Sequence, residues 1–185
     1  ARERGLGIVY QDLSLVDTMS LASNVFLGNE PMRNIGPVSV VDWDHMEEES
    51  ATIIDDNLGL SLDPTARVEF LSGGERQSVA IARALTHDPD ILIMDEATAA
   101  LSEVVLERVR QLIKALKDQG ISMFVVDHDI GRILDLVDRI IVLYQGRVVA
   151  IKDADDVSEE EIVYLMMTGE ERSSNNEQIE DGVAG

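Results

Sequence analysis

The sequence contains no cysteine and very little lysine. The absence of cysteine among 185 residues excludes disulfides, thiolate metal sites and thiol catalysis. It fits a reducing compartment without proving one. The lysines are only Lys114, Lys117 and Lys152.

Long apolar runs are also missing. No stretch of 18 or more uncharged apolar residues is present, so the sequence predicts no transmembrane helix. Residues 1–5 carry neither an initiator methionine nor an apolar h-region, so they do not form a signal peptide. We therefore expect the chain to begin inside a domain.

Positive charge is scarce. The net charge is −21, from 36 acidic and 15 basic residues. A field this negative repels nucleic acid and anionic lipid surfaces, so we expect no nucleic-acid partner. The acidic excess is spread along the chain, which favours adaptation to high salt over the alternative of an ordinary acidic bacterial protein.

The N-terminal third predicts one strand followed by helices. The predicted elements are a strand over residues 5–11, a helix over 20–26, an exposed loop over 29–42 and a helix from Asp42 or Asp44 to about Asn57. Acidic residues fill the first turns of the last helix, as the helix dipole favours. Residues 20–60 therefore predict a small helical subdomain.

Strands and helices then alternate. The predicted elements are an amphipathic helix over residues 75–85, a strand over 91–94, a helix over 103–117, a strand over 121–126 and a hairpin of 140–144 with 147–151. Residues 91–94 are a continuous apolar run, which is typical of a strand buried on both faces, and we expect 121–126 to be a second buried strand. The alternation predicts an α/β fold with a parallel core sheet. Residues 169–185 are polar and acidic, which predicts a disordered tail.

The strongest local motif is Leu71-Ser72-Gly73-Gly74-Glu75, directly before a predicted helix. The glycines let the backbone approach a ligand, and the helix directs its unpaired N–H groups and positive dipole end to that place. Phosphate is the obvious anion for such a site. The alternative is a simple serine-capped turn, since Gly-Gly turns before helices are common.

Two adjacent carboxylates, Asp95 and Glu96, end the apolar run of residues 91–94. The carboxyl ends of parallel strands are where α/β sheets bind ligands. One carboxylate can hold Mg²⁺ while the other polarises an attacking water. The alternative is that both cap the following helix.

Two further polar side chains follow predicted strands. His128 comes after residues 121–126 and can contact a γ-phosphate at the same sheet edge, although a single histidine is more often a cap or surface residue. Gln11 ends the first strand and can reach the metal or water. Each alone is weak.

In this order and spacing, the motifs resemble the ATP-binding cassette (ABC) ATPases over residues 5–151. Residues 71–75, continued by Arg76-Gln77 and by residues 80–85, resemble the signature motif of that family. Residues 92–96 are similar to its Walker B segment. Gln11 resembles the Q-loop glutamine, and His128 the switch histidine.

The resemblance implies a P-loop NTPase-type fold and a role for each residue. Asp95, with Gln11, would hold Mg²⁺, and Glu96 would be the general base for ATP hydrolysis. His128 would contact the γ-phosphate, and Gln11 would link the site to a membrane partner. The signature residues would bind the ATP of a second ABC domain in a head-to-tail dimer; these nucleotide-binding residues are Ser72, Gly73, Gly74 and Glu75.

The chain departs from the family pattern at three places. Ala97 replaces the usual proline after the Walker B glutamate, and Ser102 ends the D-loop stretch where many members have aspartate. The phosphate-binding pattern G-x-x-x-x-G-K-[ST] is missing, because none of the three lysines follows glycine. In the family this loop lies upstream of the Q-loop, so we expect this chain alone to be inactive.

The sequence over residues 11–30 and 126–130 is similar to the monosaccharide-importing branch. That likeness implies a peripheral protein on the cytoplasmic face of the membrane, with transmembrane permease subunits as partners and an extracytoplasmic solute-binding protein as an indirect one. The predicted boundaries are a partial ABC ATPase domain over 1–168, a helical subdomain over 20–85 and a tail over 169–185. The alternatives are a non-transport ABC ATPase or an inactive remnant.

Overall fold

The computed structural model describes residues 5–86, 89–96 and 103–170. By compactness the chain divides into residues 1–128 and 129–185. The strands are β1 (Leu6–Val9), β2 (Met32–Ile35), β3 (Val38–Val41), β4 (Ile91–Asp95), β5 (Ser122–Val126), β6 (Arg139–Tyr144) and β7 (Arg147–Asp153). The helices are α1 (Leu21–Val25), α2 (Trp43–Leu58), α3 (Gly73–Leu85), α4 (Glu103–Asp118), α5 (Ile130–Ile133) and α6 (Glu159–Thr168).

The core of the first unit is a parallel sheet with strand order β1-β4-β5. This confirms the predicted α/β class. The side chains of Val9, Leu92 and Met94 are buried on one face. The prediction that β4 and β5 are buried on both faces is wrong, because Ile91 and Phe124 are 44% and 57% exposed. An apolar run specifies a strand, but it does not specify how many layers cover it.

Three helices pack beside this sheet around one apolar cluster. Its buried members come from α1, α2 and α3: Leu21, Ala22, Val25, Phe26, Met46, Ile54, Val79 and Ala82. Ser20 caps α1 by accepting a hydrogen bond from the Ser23 amide, and Asp42 caps α2 by accepting from the His45 amide. Both predicted helix starts are thereby confirmed.

The prediction that the exposed residues 29–42 form a loop is wrong in its secondary structure. Strands β2 and β3 form an antiparallel hairpin there, with Ile35 opposite Val38 across the turn at Gly36-Pro37. The strands have four residues each, and the Pro and Gly residues around them are signals that favour a loop. Helix α4 runs to Asp118, and the Gly120 amide donates to the Lys117 carbonyl, as the predicted stop at Gly120 requires.

The second unit is built on the β6-β7 hairpin and α6. The turn residues Gln145 and Gly146 both have positive φ, 47° and 76°, which suits a two-residue hairpin turn. Ile162 and Leu165 of α6 are fully buried in the core of this unit. No element was predicted between residues 151 and 169, so α6 is an addition. The predicted tail lies mostly outside the described residues.

No helix in the described part of the chain is long and apolar enough to cross a bilayer.

Candidate functional site

Three polar side chains from separate parts of the sequence meet at one edge of the parallel sheet. Gln11 follows β1, Glu96 follows β4 and His128 follows β5. Gln11 Nε2 donates to Glu96 Oε2 over 2.8 Å, and His128 Nδ1 lies 3.4 Å from Glu96 Oε1. The structure thus brings three of the predicted residues together, with Glu96 in the middle. We call Gln11, Asp95, Glu96 and His128 the strand-end cluster.

The backbone at Glu96 is held in an unusual conformation. Its φ is 48°, in the left-handed region that is unfavourable for residues other than glycine. The Glu96 amide donates to the Val126 carbonyl over 2.8 Å, so the bend after β4 is anchored to β5. Strain of this kind persists where the surroundings hold it, and it is concentrated at functional sites.

Asp95 and Glu96 lie at different places relative to the end of β4. Asp95 is the last residue of β4 and pairs with Val126 in the parallel register, whereas Glu96 lies beyond the strand. Both are partly buried. Mg²⁺ is bound in nucleotide sites by one or two carboxylates together with phosphate oxygens. Asp95 could supply such a carboxylate, and the carbonyl oxygen of Gln11, whose amide nitrogen contacts Glu96, could be a further ligand.

His128 is open to solvent on one side. Its side chain is 67% exposed, whereas the neighbouring Asp127 carboxylate is 2% exposed and lies 3.9 Å from His128 Nδ1. Nδ1 therefore faces two carboxylates, Glu96 and Asp127. Nε2 is the remaining ring nitrogen that could meet a ligand outside the sheet edge.

The second predicted site is the turn over residues 71–75, which we call the signature turn. Ser72 is the N-cap of α3, and its hydroxyl accepts from the Glu75 amide over 3.4 Å. The Glu75 carboxylate accepts in return from the Ser72 amide over 2.7 Å. The two bonds form a capping box, so the alternative of a serine-capped turn is confirmed. A cap and a ligand site do not exclude one another, since α3 has further N–H groups in its first turn.

Gly73 is not required by packing or by its backbone. A Cβ added there would meet nothing within 4 Å, and its φ is not positive. Ser72 and Gly73 are both exposed. Nothing inside the first unit therefore explains why position 73 is a glycine.

Within the described residues, no hydrogen bond or ion pair joins the strand-end cluster to the signature turn. The predicted departures from the family at Ala97 and Ser102 lie outside those residues.

Sequence reasoning missed the residues that hold the chain after Gln11. The Arg83 guanidinium of α3 donates to the carbonyls of Leu13 and Ser14. The fully buried Asn24 of α1 accepts from the Val16 amide and donates to the Val16 carbonyl. Two signals were available in the sequence. Arg83 lies inside the apolar pattern of the predicted helix 75–85, and Asn24 lies two residues before the end of the predicted helix 20–26.

Comparisons with known proteins identify the family of the chain. The protein-family model described as "ABC transporter" matches residues 1–99. The xylose import ATP-binding protein of Moorella thermoacetica is 35% identical over 163 residues, which are 88% of this chain and 31% of that protein. The ribose import ATP-binding protein of Caldanaerobacter subterraneus subsp. tengcongensis is 36% identical over 167 residues, which are 90% of this chain and 33% of that protein.

A solved structure supports the same assignment. The ATP-binding cassette MJ0796, a dimer in a post-hydrolysis state bound to ADP and Pi, superposes with a TM-score of 0.69 at 28% identity. The match covers 83% of this chain and 65% of that one. The chain therefore spans about a third of the curated relatives and about two thirds of the solved cassette. On the family pattern, the fold and the order of its motifs, the chain belongs to the ABC transporter family as part of an ATPase domain.

Proposed function

We propose that this chain is part of the ATP-hydrolysing subunit of a sugar importer. The observation that carries the ATPase part is the convergence of Gln11 and His128 on the two carboxylate oxygens of Glu96. Three residues from distant parts of the sequence would not meet at one sheet edge merely to cap helices. Sugar import is supported by the names of two relatives, which describe xylose and ribose import.

Glu96 is the general base in this proposal. Its carboxylate takes a proton from the water that attacks the γ-phosphate, a task that contributes about 10²–10⁴-fold to a rate. Gln11 and His128 each face one oxygen of that carboxylate, at 2.8 and 3.4 Å, and so orient it. The strained backbone at Glu96 fixes the carboxylate beyond the strand, where water can reach it.

Asp95 binds the metal rather than the water. Mg²⁺, when bound, neutralises charge on the phosphates. Asp95 lies at the strand end with its carboxylate partly buried, so its charge is felt by the bound nucleotide before any bond breaks. Gln11 would supply an amide oxygen to the same ion. His128 would place Nε2 against the γ-phosphate.

The signature turn serves the nucleotide of a second ABC domain. The exposed Ser72, the unhindered Gly73 and the N-terminus of α3 offer N–H groups to an anion that comes from outside the chain. Gly74, which has no side chain to obstruct an anion, would bind beside them, and Glu75 keeps the turn closed through the capping box. Two such domains, arranged head to tail, would bind two ATP molecules between them. The remaining partners are permease subunits, which place the protein at the cytoplasmic face of the membrane, and indirectly a solute-binding protein.

The test measures phosphate release with Mg-ATP for the full gene product and, beside it, for the 185-residue chain alone. We expect hydrolysis by the first, and less than the ordinary enzymatic rate of about 1 s⁻¹ by the second, which has no Gly-Lys pair to cradle phosphates. His128→Ala and Gln11→Ala should both slow hydrolysis by the full gene product. Full activity in both variants would overturn the assignment of the strand-end cluster.

Sugar import has a separate test. Cells that lack the gene should lose ATP-dependent uptake of labelled ribose or xylose, and the wild-type gene should restore it while Glu96→Gln should not. Uptake that is unaffected by the deletion would remove the sugar assignment and leave the ATPase assignment standing.

A further inference from the structure

Gln11 reaches the site from a segment with little support of its own. Strand β1 ends at Val9, and the next three residues, 10–12, are all exposed. Gln11 is joined to the rest of the site through its bond to Glu96. A long side chain on an exposed segment loses conformational entropy when it holds one position, so something must fix the path of the backbone beside it.

Arg83 supplies that support. One nitrogen of its guanidinium donates to the Ser14 carbonyl over 2.9 Å, and the other donates to the Leu13 carbonyl over 2.6 Å. The contacts cross 69 and 70 residues of sequence, so they join the end of α3 to the turn that follows Gln11. Each bond has a charged donor, and such bonds are about twice as strong as neutral ones.

The turn that Arg83 holds is itself unfavourable. Ser14 has a φ of 50°, in the left-handed region, and its hydroxyl donates to the Asp12 carbonyl over 2.8 Å. A serine in this conformation costs free energy that other contacts must offset. The two bonds from Arg83 fall on this turn, two and three residues after Gln11.

Arg83 lies in a closely packed part of α3. Its neighbours in α3, Ala82 and Ala84, are buried. The Ala84 carbonyl lies so close to β1 that a Cβ added to Gly7 would come within 2.8 Å of it. Helix α3 therefore packs directly against β1, the strand that leads to Gln11. From α3, the Arg83 side chain reaches the carbonyls of Leu13 and Ser14 in the turn after Gln11.

The other anchors of this segment lie further along the chain. Asn24 binds Val16, and Arg76 forms an ion pair with Asp17 at 3.2 Å. These contacts attach residues 16 and 17 to α1 and α3, whereas Arg83 attaches residues 13 and 14. Among these anchors, Arg83 acts nearest to Gln11.

We propose that Arg83 is a positioning residue, which sets the place of Gln11 against Glu96 by clamping the carbonyls of Leu13 and Ser14. The reach of the clamp depends on a planar guanidinium, since the single nitrogen of lysine cannot donate to both carbonyls with the same geometry. The catalytic consequence rests on the proposed function. The positional claim does not, because it concerns the contact between Gln11 and Glu96 in the chain itself.

The first experiment observes that contact directly. In the 185-residue chain, the side-chain amide of Gln11 is assigned by NMR from the resonance that disappears in Gln11→Ala. In the wild type, this resonance should lie away from the position of a free glutamine amide, because the amide donates to Glu96. In Arg83→Ala it should move towards the position of a free glutamine amide, with Arg83→Lys in between.

The matched control is Arg33→Ala. The Arg33 guanidinium is also held by polar contacts, in its case to the carboxylates of Asp42 and Asp44, but it lies on the exposed β2-β3 hairpin. The Gln11 resonance should be unchanged in this variant. Should Arg83→Ala fail to fold, Arg83→Gln and Arg83→Lys provide the same comparison. An unaltered Gln11 resonance in a folded Arg83 variant would overturn the proposal.

The second experiment measures the kinetic consequence in the full gene product. Misplacing a catalytic group by about 1 Å can cost about 10²-fold in rate, so Arg83→Ala should lower kcat by about 10–100-fold. The KM for ATP should change less than about twofold, because Arg83 is not among the residues that bind the nucleotide. Arg83→Lys should recover part of kcat.

The outcomes separate the two proposals. A wild-type gene product without ATPase activity would overturn the proposed function, and the positional claim would still be decided by the Gln11 resonance. A shifted resonance with an unchanged kcat would show that the position of Gln11 does not govern hydrolysis. A rise in KM together with an unaltered Gln11 resonance would assign Arg83 to nucleotide binding and overturn the positioning role.

Discussion

The strand-end cluster and the signature turn are built in opposite ways. The signature turn takes its hydrogen bonds from four consecutive residues, and Ser72 and Glu75 satisfy each other. In the strand-end cluster the contact between Gln11 and Glu96 spans 85 residues of sequence. The first is stable by local capping, whereas the second exists only when the sheet has formed. We therefore expect the loss of the cap in the turn to lower the stability of the chain, in addition to any effect on nucleotide binding, and substitutions in the cluster to act mainly on hydrolysis.

The largest expected effect is that of Glu96→Gln in the full gene product. Glutamine keeps the shape of the side chain but cannot accept a proton from water, so hydrolysis should fall by about 10²–10⁴-fold. ATP binding should be retained, and a nucleotide-dependent dimer should persist in gel filtration with ATP. Hydrolysis near the wild-type rate would show that Glu96 is not the base.

Asp95→Asn should differ from Glu96→Gln by acting on binding. A hydrogen bond or ion contact to a charged group is worth about 1.5–3 kcal/mol, which corresponds to about 10–100-fold in affinity for Mg-ATP. The loss should be smaller for ATP without Mg²⁺. Titration calorimetry with and without the metal measures both, and equal losses in the two titrations would remove Asp95 from the metal site.

The sign of the stability change should differ between the two regions. Ser72→Ala removes the N-cap of α3 and should lower the free energy of unfolding by about 1 kcal/mol. Glu96→Gly relieves a positive φ of 48° and should raise it by up to about 1 kcal/mol, although it removes the proposed base. Urea denaturation of the 185-residue chain measures both. A destabilised Glu96→Gly variant would mean that the contacts of the Glu96 side chain with Gln11 and His128 stabilise the fold by more than the backbone strain costs.

Added salt should stabilise the whole chain, so it should distinguish the two regions least. With a net charge of −21, the folded chain repels itself, and added KCl shortens the Debye length from about 30 Å at 0.01 M to about 3 Å at 1 M. The melting temperature should rise, by about 2–4 °C for each kcal/mol relieved. A flat or falling curve would contradict the prediction of adaptation to high salt.

Much of the fold was predictable because its signals are local. The caps at Ser20 and Asp42 and the hairpin turn at Gln145-Gly146 depend on neighbouring residues, and the structure confirms all three. The hairpin of β2 and β3 was missed because its strands are short and flanked by proline and glycine. The exposure of one face of the parallel sheet was missed because burial depends on whether another layer covers that face.

The sequence by itself determined which chemical groups this protein has and which helix start carries the signature turn. A capping box is formed within four residues, so its geometry follows from their order. Only the tertiary structure decided that Gln11 and His128 lie on either side of Glu96, that Glu96 has a positive φ and that Arg83 clamps the turn after Gln11. These contacts join segments far apart in sequence, and their distances are fixed by strand pairing and by the seat of α3 on β1.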